Sequence, residues 1–223
     1  MIYLRYTALA QRVAAPRWRF GGSTFRFGQT GGSLNPNGQF GAANADKIAM
    51  VVLHFRNTAG TAPGFFDFNP RLAGTPMNVA IQHPPVGKFT SFGFLAAWLP
   101  FTGASAQVSV ELANYDDLRM YFLYLDDAPN FTIVEADSDD DTNGDVSFSV
   151  VSGDQLFFTG QGFSQQLTVI EGSDNVLTNL VDEFVSPSTL RGRHLIRVTR
   201  GPVDAGTYAV TGTGRAGGFV FRT

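Results

Sequence analysis

The sequence predicts an all-β protein, and three observations support this prediction. The chain is rich in phenylalanine, with 21 Phe against 6 Tyr, and it also contains 25 Gly and 11 Pro. Phe, Val and Thr favour strands, whereas Gly, Pro, Asn and Asp favour turns. From Lys47 onward, short strand-type runs are separated by turn sequences such as SGD, EGSDN and PVDAG. This spacing favours an antiparallel β-sandwich or jelly roll, either one large sandwich or two small ones.

The strand-type runs are of two kinds. KIAMVVLHF (47–55) and RMYFLYL (119–125) are apolar on both faces, as expected for strands that are covered on both sides. QVSVEL (107–112) and DVSFSVV (145–151) alternate apolar and polar residues, which is typical of strands with one face in solvent. Two further segments, 91–99 and 175–185, are the places where a short helix could form between strands.

Composition and patterning exclude several classes of protein. The chain has no cysteine, which excludes disulfides, thiolate metal sites and cysteine nucleophiles. Arg5, Gln11 and Arg12 interrupt the apolar residues at the N-terminus, so we expect no signal peptide. Pro100 and Gly103 interrupt the uncharged run 89–110, which predicts two strands joined by the turn LPFTGA rather than a membrane span. We therefore expect a soluble protein without a membrane span.

The first 46 residues are predicted to form an extended arm. Residues 1–45 contain five arginines and no acid, whereas the remainder has 11 basic and 19 acidic residues, a net charge of −8. Residues 20–41 contain seven glycines together with several phenylalanines, a composition that is costly to order and too apolar for an inert linker. We expect partner binding through Arg17, Trp18, Arg19, Phe20, Phe25, Phe27 and Phe40. The alternative is that this segment packs as loops and a hairpin on its own domain.

The sequence suggests three regions. The arm spans 1–46, a β-rich region that forms the first half of a sandwich spans 47–115, and a β-sandwich with an acidic loop spans 116–223. The alternative is a single sandwich that begins at residue 47 and shares strands between the two β-rich regions.

The acidic loop DSDDDTNGD (137–145) predicts a calcium site. It matches the pattern D-x-[DN]-x-[DN]-G at Asp139, Asp141, Asn143 and Gly144 and resembles the first half of an EF-hand loop. The bidentate glutamate of that motif is absent, because its position is occupied by Val150. The expected ligands are Asp137, Asp139, Asp141, Asn143 and Asp145, and the expected Kd for Ca²⁺ is about 10⁻⁴ to 10⁻³ M. The alternative is a solvated hairpin loop with Asn143-Gly144 at its tip.

No catalytic set is visible in the sequence. The chain has three histidines, His54, His83 and His194, and none has a second histidine or an acid at ligand spacing. We therefore expect all three to be structural. Five N-terminal arginines beside aromatic residues could contact nucleic acid, but no recognisable nucleic-acid-binding module accompanies them, so nucleic acid is not an expected partner.

These observations give two hypotheses about function. The first is a non-enzymatic assembly protein, a capsid, decoration or tail component of a bacteriophage-like virion, whose partners are copies of itself or other virion subunits. Its location would be the virion, or the cytoplasm if it is not a virion component. The second is a calcium-assisted carbohydrate-binding or adhesin-like β-sandwich module, suggested by phrases such as GDVSFSVVSGDQLFF and AGTYAVTGTG, which resemble small sandwich domains of secreted bacterial enzymes.

Overall fold

The computed structural model describes residues 17–29, 32–56, 68–83, 92–112, 115–139, 145–162, 167–170, 176–185, 192–212 and 214–223. Within these ranges every regular element is a β-strand and no helix occurs, so the prediction of an all-β protein is confirmed. Both segments considered for helices are strands. The described residues accordingly include no helix that is long and apolar enough to cross a membrane.

Residues 18–125 form two antiparallel sheets. The strands are β1 (Trp18–Gln29), β2 (Gly32–Leu34), β3 (Asn37–Gln39), β4 (Ile48–Arg56), β5 (Arg71–Leu72), β6 (Thr75–Pro76), β7 (Asn78–His83), β8 (Phe92–Pro100), β9 (Ser105–Leu112) and β10 (Tyr115–Leu125). Sheet 1 has the order β1-β10-β4-β8-β7. Sheet 2 has the order β2-β9-β5-β6, and β3 also pairs with β9.

Residues 132–222 form two more antiparallel sheets. The strands are β11 (Thr132–Ser138), β12 (Val146–Val150), β13 (Gln155–Gly162), β14 (Leu167–Ile170), β15 (Leu177–Val185), β16 (Gly192–Thr199), β17 (Gly206–Gly212) and β18 (Arg215–Arg222). Sheet 3 has the order β11-β18-β13-β16-β15, and sheet 4 has the order β12-β17-β14. The boundary predicted at 115/116 lies at the beginning of β10, and the chain passes from sheet 1 to sheet 3 between Leu125 and Thr132.

The two halves of the chain have the same strand order. If β3 and β6 are set aside, each half has eight strands, and the five strands of sheet 1 correspond in chain order to the five strands of sheet 3. Sheets 2 and 4 correspond in the same way. Even a local irregularity recurs, since β7 has a register shift between Val79 and Ile81, and β15 has one between Asn179 and Val181. The fold therefore contains a structural duplication that is not visible as a sequence repeat.

Three layers of buried side chains separate the four sheets. One layer joins sheets 1 and 2, with residues such as Val51 and Val108. A second joins sheets 1 and 3, with residues such as Val52 and Phe157, and is called the middle layer below. A third joins sheets 3 and 4, with residues such as Phe148. The sheets are thus stacked in the order 2-1-3-4, and among the described residues the central strands of the two inner sheets are buried on both faces.

The structure corrects the prediction of an extended arm for the part of it that is described. β1 pairs with β10 of the same chain, and β2 and β3 pair with β9. Gly21 allows this packing, because a Cβ atom at this position would lie 1.9 Å from the backbone oxygen of Gln39. Gly21 therefore serves a close backbone contact, and residues 17–29 and 32–40 pack on their own domain. Residues 1–16 lie outside the described residues.

A buried lysine binds the segment that leads into β4 to a second loop. Lys47 is 1% exposed, and its ammonium group donates hydrogen bonds to the backbone oxygens of Phe40, Ala42 and Gly103 at 2.8, 2.5 and 2.7 Å. Three carbonyl acceptors satisfy all three donors of the ammonium group. This single side chain therefore holds together two loops that are distant in sequence.

We predict that Lys47→Met lowers the free energy of unfolding by about 3 kcal/mol, because it leaves three carbonyl groups without their charged donor. Urea unfolding followed by circular dichroism measures this change. The matched control is Arg71→Met, since Arg71 donates to the exposed backbone oxygen of Gly74 and its loss should cost about 0.5 kcal/mol or less. Equal effects of the two substitutions would contradict the role given to Lys47.

Candidate functional site

The middle layer is aromatic at one end and polar at the other. At the aromatic end, Trp18 makes edge contacts with Phe131, Phe157 and Phe221, with ring centroids 5.8–5.9 Å apart. At the polar end, the apolar face of β4 ends in His54, which is completely buried. The polar end also contains the other two histidines of the chain, and we take it as the candidate functional site.

Two rows of paired residues cross this end of the layer. In sheet 1 the row reads His83–Phe94–His54–Arg119, from β7 through β8 and β4 to β10. In sheet 3 the row reads Glu183–His194–Gln161–Arg215, from β15 through β16 and β13 to β18. The duplication makes these rows equivalent position by position. His54 therefore corresponds to Gln161, and Phe94 corresponds to His194.

The rings of His54 and His194 contact each other across the layer. Their centroids are 4.7 Å apart, and the ring planes are inclined by 67°. Both side chains have an exposed fraction of 0%. The fold thus brings together two imidazoles that are 140 positions apart in the sequence and come from different halves of the chain.

A hydrogen-bonded chain leads from His194 to the surface. The Tyr121 hydroxyl lies 2.6 Å from His194 Nδ1 and 2.7 Å from Glu183 Oε1. Glu183 also accepts hydrogen bonds from Arg119, at 3.0 Å from Nε and 3.2 Å from Nη2. Glu183 is partly exposed whereas Tyr121 is buried. The side chains therefore connect a buried imidazole to a solvent-accessible ion pair.

The hydrogen bonds fix which nitrogen of each histidine carries the proton. An ionised carboxylate only accepts, so Tyr121 donates to Glu183 and accepts from Nδ1–H of His194. The Thr159 hydroxyl donates to the backbone oxygen of Leu195 at 3.3 Å, and it therefore accepts from Nε2–H of His54 at 2.8 Å. Nδ1 of His54 and Nε2 of His194 are consequently unprotonated. Both atoms are buried without a hydrogen-bond partner among the described residues.

Burial keeps both histidines neutral. It lowers the pKa of His54 to about 3. Burial also lowers the pKa of His194 well below its usual value, and the neighbouring His54 and Arg119 act in the same direction. For Tyr121, burial and then the charge of Glu183 raise the pKa of the phenol, so it stays protonated and remains a donor. The site is therefore built around uncharged imidazoles beside an exposed ion pair.

The unprotonated ring nitrogens are the basic groups of this site, and burial disfavours their protonated form. Within the described residues, no group of three His, Cys, Asp or Glu side chains could hold a metal ion. The chain has no cysteine, and the hydroxyl nearest to His54 belongs to Thr159, which is itself buried and bonded to a backbone carbonyl. The two unprotonated nitrogens can take up protons, and this is the chemistry that the geometry offers.

The predicted calcium ligands lie only partly within the described residues. The Asp139 carboxylate accepts a hydrogen bond from the backbone nitrogen of Asp145 at 2.7 Å, and the Asp145 carboxylate accepts one from the Thr211 hydroxyl. Asp137 accepts from the backbone nitrogen of Ser138 at 2.8 Å. Asp141 and Asn143 lie outside the described residues. The calcium site therefore stays a prediction.

The residues predicted to bind a partner fall into two groups. Trp18 and Phe40 are 4% and 0% exposed in the core of their own chain. This burial corrects their assignment as docking groups. Arg17 and Arg19 are exposed, Phe20 is 47% exposed, and Phe25 is half-buried with the Arg119 guanidinium 5.7 Å from its ring centroid. Phe27 pairs with Asp117 through its backbone, and the side chain of Phe27 is not among the described parts of the structure.

Comparison with protein-family models, curated proteins and solved structures gave no match for this chain. The site must therefore be interpreted from its own geometry. Sequence reasoning treated the histidines singly and missed their contact, since nothing in the spacing of 54, 121, 159, 183 and 194 indicates proximity. The available signal was the position of His54 at the end of a strand with two apolar faces.

We predict that Tyr121→Phe lowers the free energy of unfolding by about 1–3 kcal/mol at pH 7, because it leaves Nδ1–H of His194 buried without an acceptor. Urea unfolding measures the change. Tyr124→Phe is the control, since Tyr124 packs on the opposite face of the same strand, against the layer between sheets 1 and 2. A larger loss for Tyr124→Phe would contradict the importance of the chain from His194 to Glu183.

We predict that Ca²⁺ at millimolar concentration raises the melting temperature relative to a chelator, and that Asp141→Ala removes the difference. The physical reason is the repulsion among clustered carboxylates, which a shared cation relieves. Differential scanning calorimetry with Ca²⁺, Mg²⁺ and chelator provides the measurement. Identical curves under all three conditions would leave the solvated hairpin loop as the interpretation.

Proposed function

We propose that this chain is a non-enzymatic structural protein that assembles with copies of itself or with other subunits, as a capsid, decoration or tail component of a bacteriophage-like virion. The observation that carries the proposal is the strand order of the two halves. In each half the first strand pairs with the eighth, the second with the seventh and the third with the sixth. This nested pairing supports a jelly roll in each half, and jelly rolls are common in viral capsid subunits.

The two halves depart from the simplest jelly roll in one respect. The fifth strand of each half, β7 or β15, pairs with the sixth rather than with the fourth. Each inner sheet thereby gains a fifth strand and presents a wider face to the other inner sheet. We take each half as a small sandwich, and the middle layer as the contact that joins the two sandwiches. A paired arrangement of this kind suits a building block better than a single binding module.

The chemistry of the described residues supports a role in assembly rather than catalysis. Jelly rolls also occur in lectins and cupins, so the fold alone does not select a function. The polar end of the middle layer is enclosed between the sheets, where Tyr121 and both contacting histidines are at most 1% exposed. A substrate would have to displace packed strands to reach these groups, which argues against an active site there.

The edge of sheet 1 is the surface that best suits an assembly contact. Among the described residues, β1 has one neighbour in its sheet, β10, and its other edge would then offer backbone groups for pairing. Phe20 lies on this strand between the exposed cation Arg19 and Gly21, and it is one of the most exposed large apolar side chains of the described residues. The net charge of −8 on residues 46–223 would attract the arginines beside Phe20 on a neighbouring copy.

We predict that Phe20→Asp lowers the mass of the assembled species, because it places a carboxylate in an apolar contact beside β1. Sedimentation velocity at several protein concentrations measures the mass. Val151→Asp is the matched control, since Val151 is 55% exposed but follows β12 in sheet 4, and it should assemble like the parent protein.

A parent protein that remains monomeric at every concentration, alone and with other subunits from its source, would overturn the proposal. The hypothesis of a carbohydrate-binding or adhesin-like module would then take its place. Equal loss of assembly in both variants would show that the contact does not involve β1 in particular.

A further inference from the structure

We propose that the contact between sheets 1 and 3 is acid-sensitive at its polar end: as the pH falls, His54 and His194 take up protons and the two sheets loosen there, while the aromatic end of the middle layer stays packed. The proposal concerns a conformational device within one chain and does not depend on assembly or on a virion.

The site has nitrogens that accept protons, but it does not stabilise the resulting charge. Nδ1 of His54 and Nε2 of His194 are unprotonated and have no partner among the described residues. Once protonated, each nitrogen would become a buried donor without an acceptor, which is unfavourable. Two imidazolium rings with centroids 4.7 Å apart would also repel each other.

Several charged and titratable groups face His54 and His194. Arg119 and Tyr121 face it from β10, Arg56 from the end of β4 and Arg215 from β18. Glu183 faces it from β15 and His83 belongs to the row from β7. Glu183 is the carboxylate of this set, and Arg119 already pairs with it. Glu183 is therefore already engaged by a cation and is not free to offset additional positive charge on the histidines.

Acid favours the open form of the polar end. The closed form holds both histidines neutral, whereas exposed histidines titrate near pH 6.5. The open form therefore binds more protons below about pH 6.5, and the closed form loses its advantage as the pH falls. Each histidine shifts the equilibrium toward opening by up to about tenfold per pH unit, and the pair by up to about a hundredfold.

The free energy available from proton uptake decides how far the opening extends. Among the described residues, the hydrophobic cluster of the middle layer contains eighteen buried residues, including the aromatic cluster around Trp18. Proton uptake by two histidines over about two pH units cannot offset the exposure of that whole surface. The free energy of proton uptake is sufficient to expose the few side chains around His54 and His194. We therefore infer a local opening at the polar end rather than separation of the two halves.

The duplication supplies matched replacements for both histidines. His54 corresponds to Gln161 and His194 corresponds to Phe94, so His54→Gln and His194→Phe place at each position the residue that the other half already accommodates. The double variant removes both titrating groups. It retains Arg119, Tyr121 and Glu183, so a change in its acid response is due to the histidines.

Labelling of single introduced thiols tests the proposal, because the chain has no cysteine of its own. Val181→Cys places a thiol at the polar end of the middle layer, where Val181 pairs with Ile196. Leu125→Cys places one at the aromatic end, where Leu125 pairs with Trp18. The probe is 4,4′-dithiodipyridine, which reacts with thiols in acid, and rates are divided by those of the denatured chain at the same pH.

We expect the normalised labelling rate of Val181→Cys to rise at least about tenfold between pH 7 and pH 5, while that of Leu125→Cys changes less than about twofold. In the double-variant background, Val181→Cys should show no such rise. The proposal is overturned if Val181→Cys is unaffected by pH, if both thiols become reactive together, or if the double variant responds like the parent.

If the double variant does not fold, NMR titration of the three imidazoles in the parent protein replaces it. We expect His54 and His194 to remain neutral in the closed form well below pH 6.5, even while the labelling rate of Val181→Cys rises. Ordinary titration of both rings near pH 6.5 without any change in labelling would contradict the proposal.

Discussion

The structure depends on one constraint, which is that the central strands of sheets 1 and 3 are apolar on both faces and that both faces must be covered. Sheets 2 and 4 each cover one of these faces, and the remaining two faces can be covered only by each other. The middle layer is the result, with Met50, Val52, Phe157 and Phe219 among its buried residues. The same constraint explains why residues 18–29 pair with β10 rather than extend away, because Trp18 completes the aromatic end of this layer.

The duplication determines which positions meet across the middle layer. Two units with the same strand order face each other through corresponding sheets, and β1 lies next to β15 as β7 lies next to β11. Corresponding positions therefore meet on opposite sides of the layer, as in an isologous dimer interface. Within one chain the two copies of each position can differ. The equivalent rows do so, and they place imidazoles, an amide, a carboxylate and guanidinium groups at one end.

The sequence predicted some of these features and could not predict others. The sequence predicted which strands are covered on both faces. KIAMVVLHF and RMYFLYL are apolar on both faces and form inner strands, whereas DVSFSVV alternates and forms the outer strand β12. The helix alternatives at 91–99 and 175–185 failed because local propensity does not register pairing with distant strands. The prediction of an extended arm was wrong for its described part, because a glycine-rich segment that packs closely against other backbone has the same composition as a flexible segment. The site could not be predicted because its hydrogen-bonded residues come from five strands in two halves, namely His54, Tyr121, Thr159, Glu183 and His194.

The central claim is that sheets 1 and 3 are buried on both faces and sheets 2 and 4 on one. Native-state hydrogen exchange at neutral pH, resolved to single strands, tests it most directly. The account predicts the slowest exchange in β4, β10, β13 and β18, which lie inside the inner sheets, and faster exchange by at least about tenfold in β9, β12 and β17. Equal protection of inner and outer sheets, or slower exchange in the outer ones, would contradict the stacked arrangement.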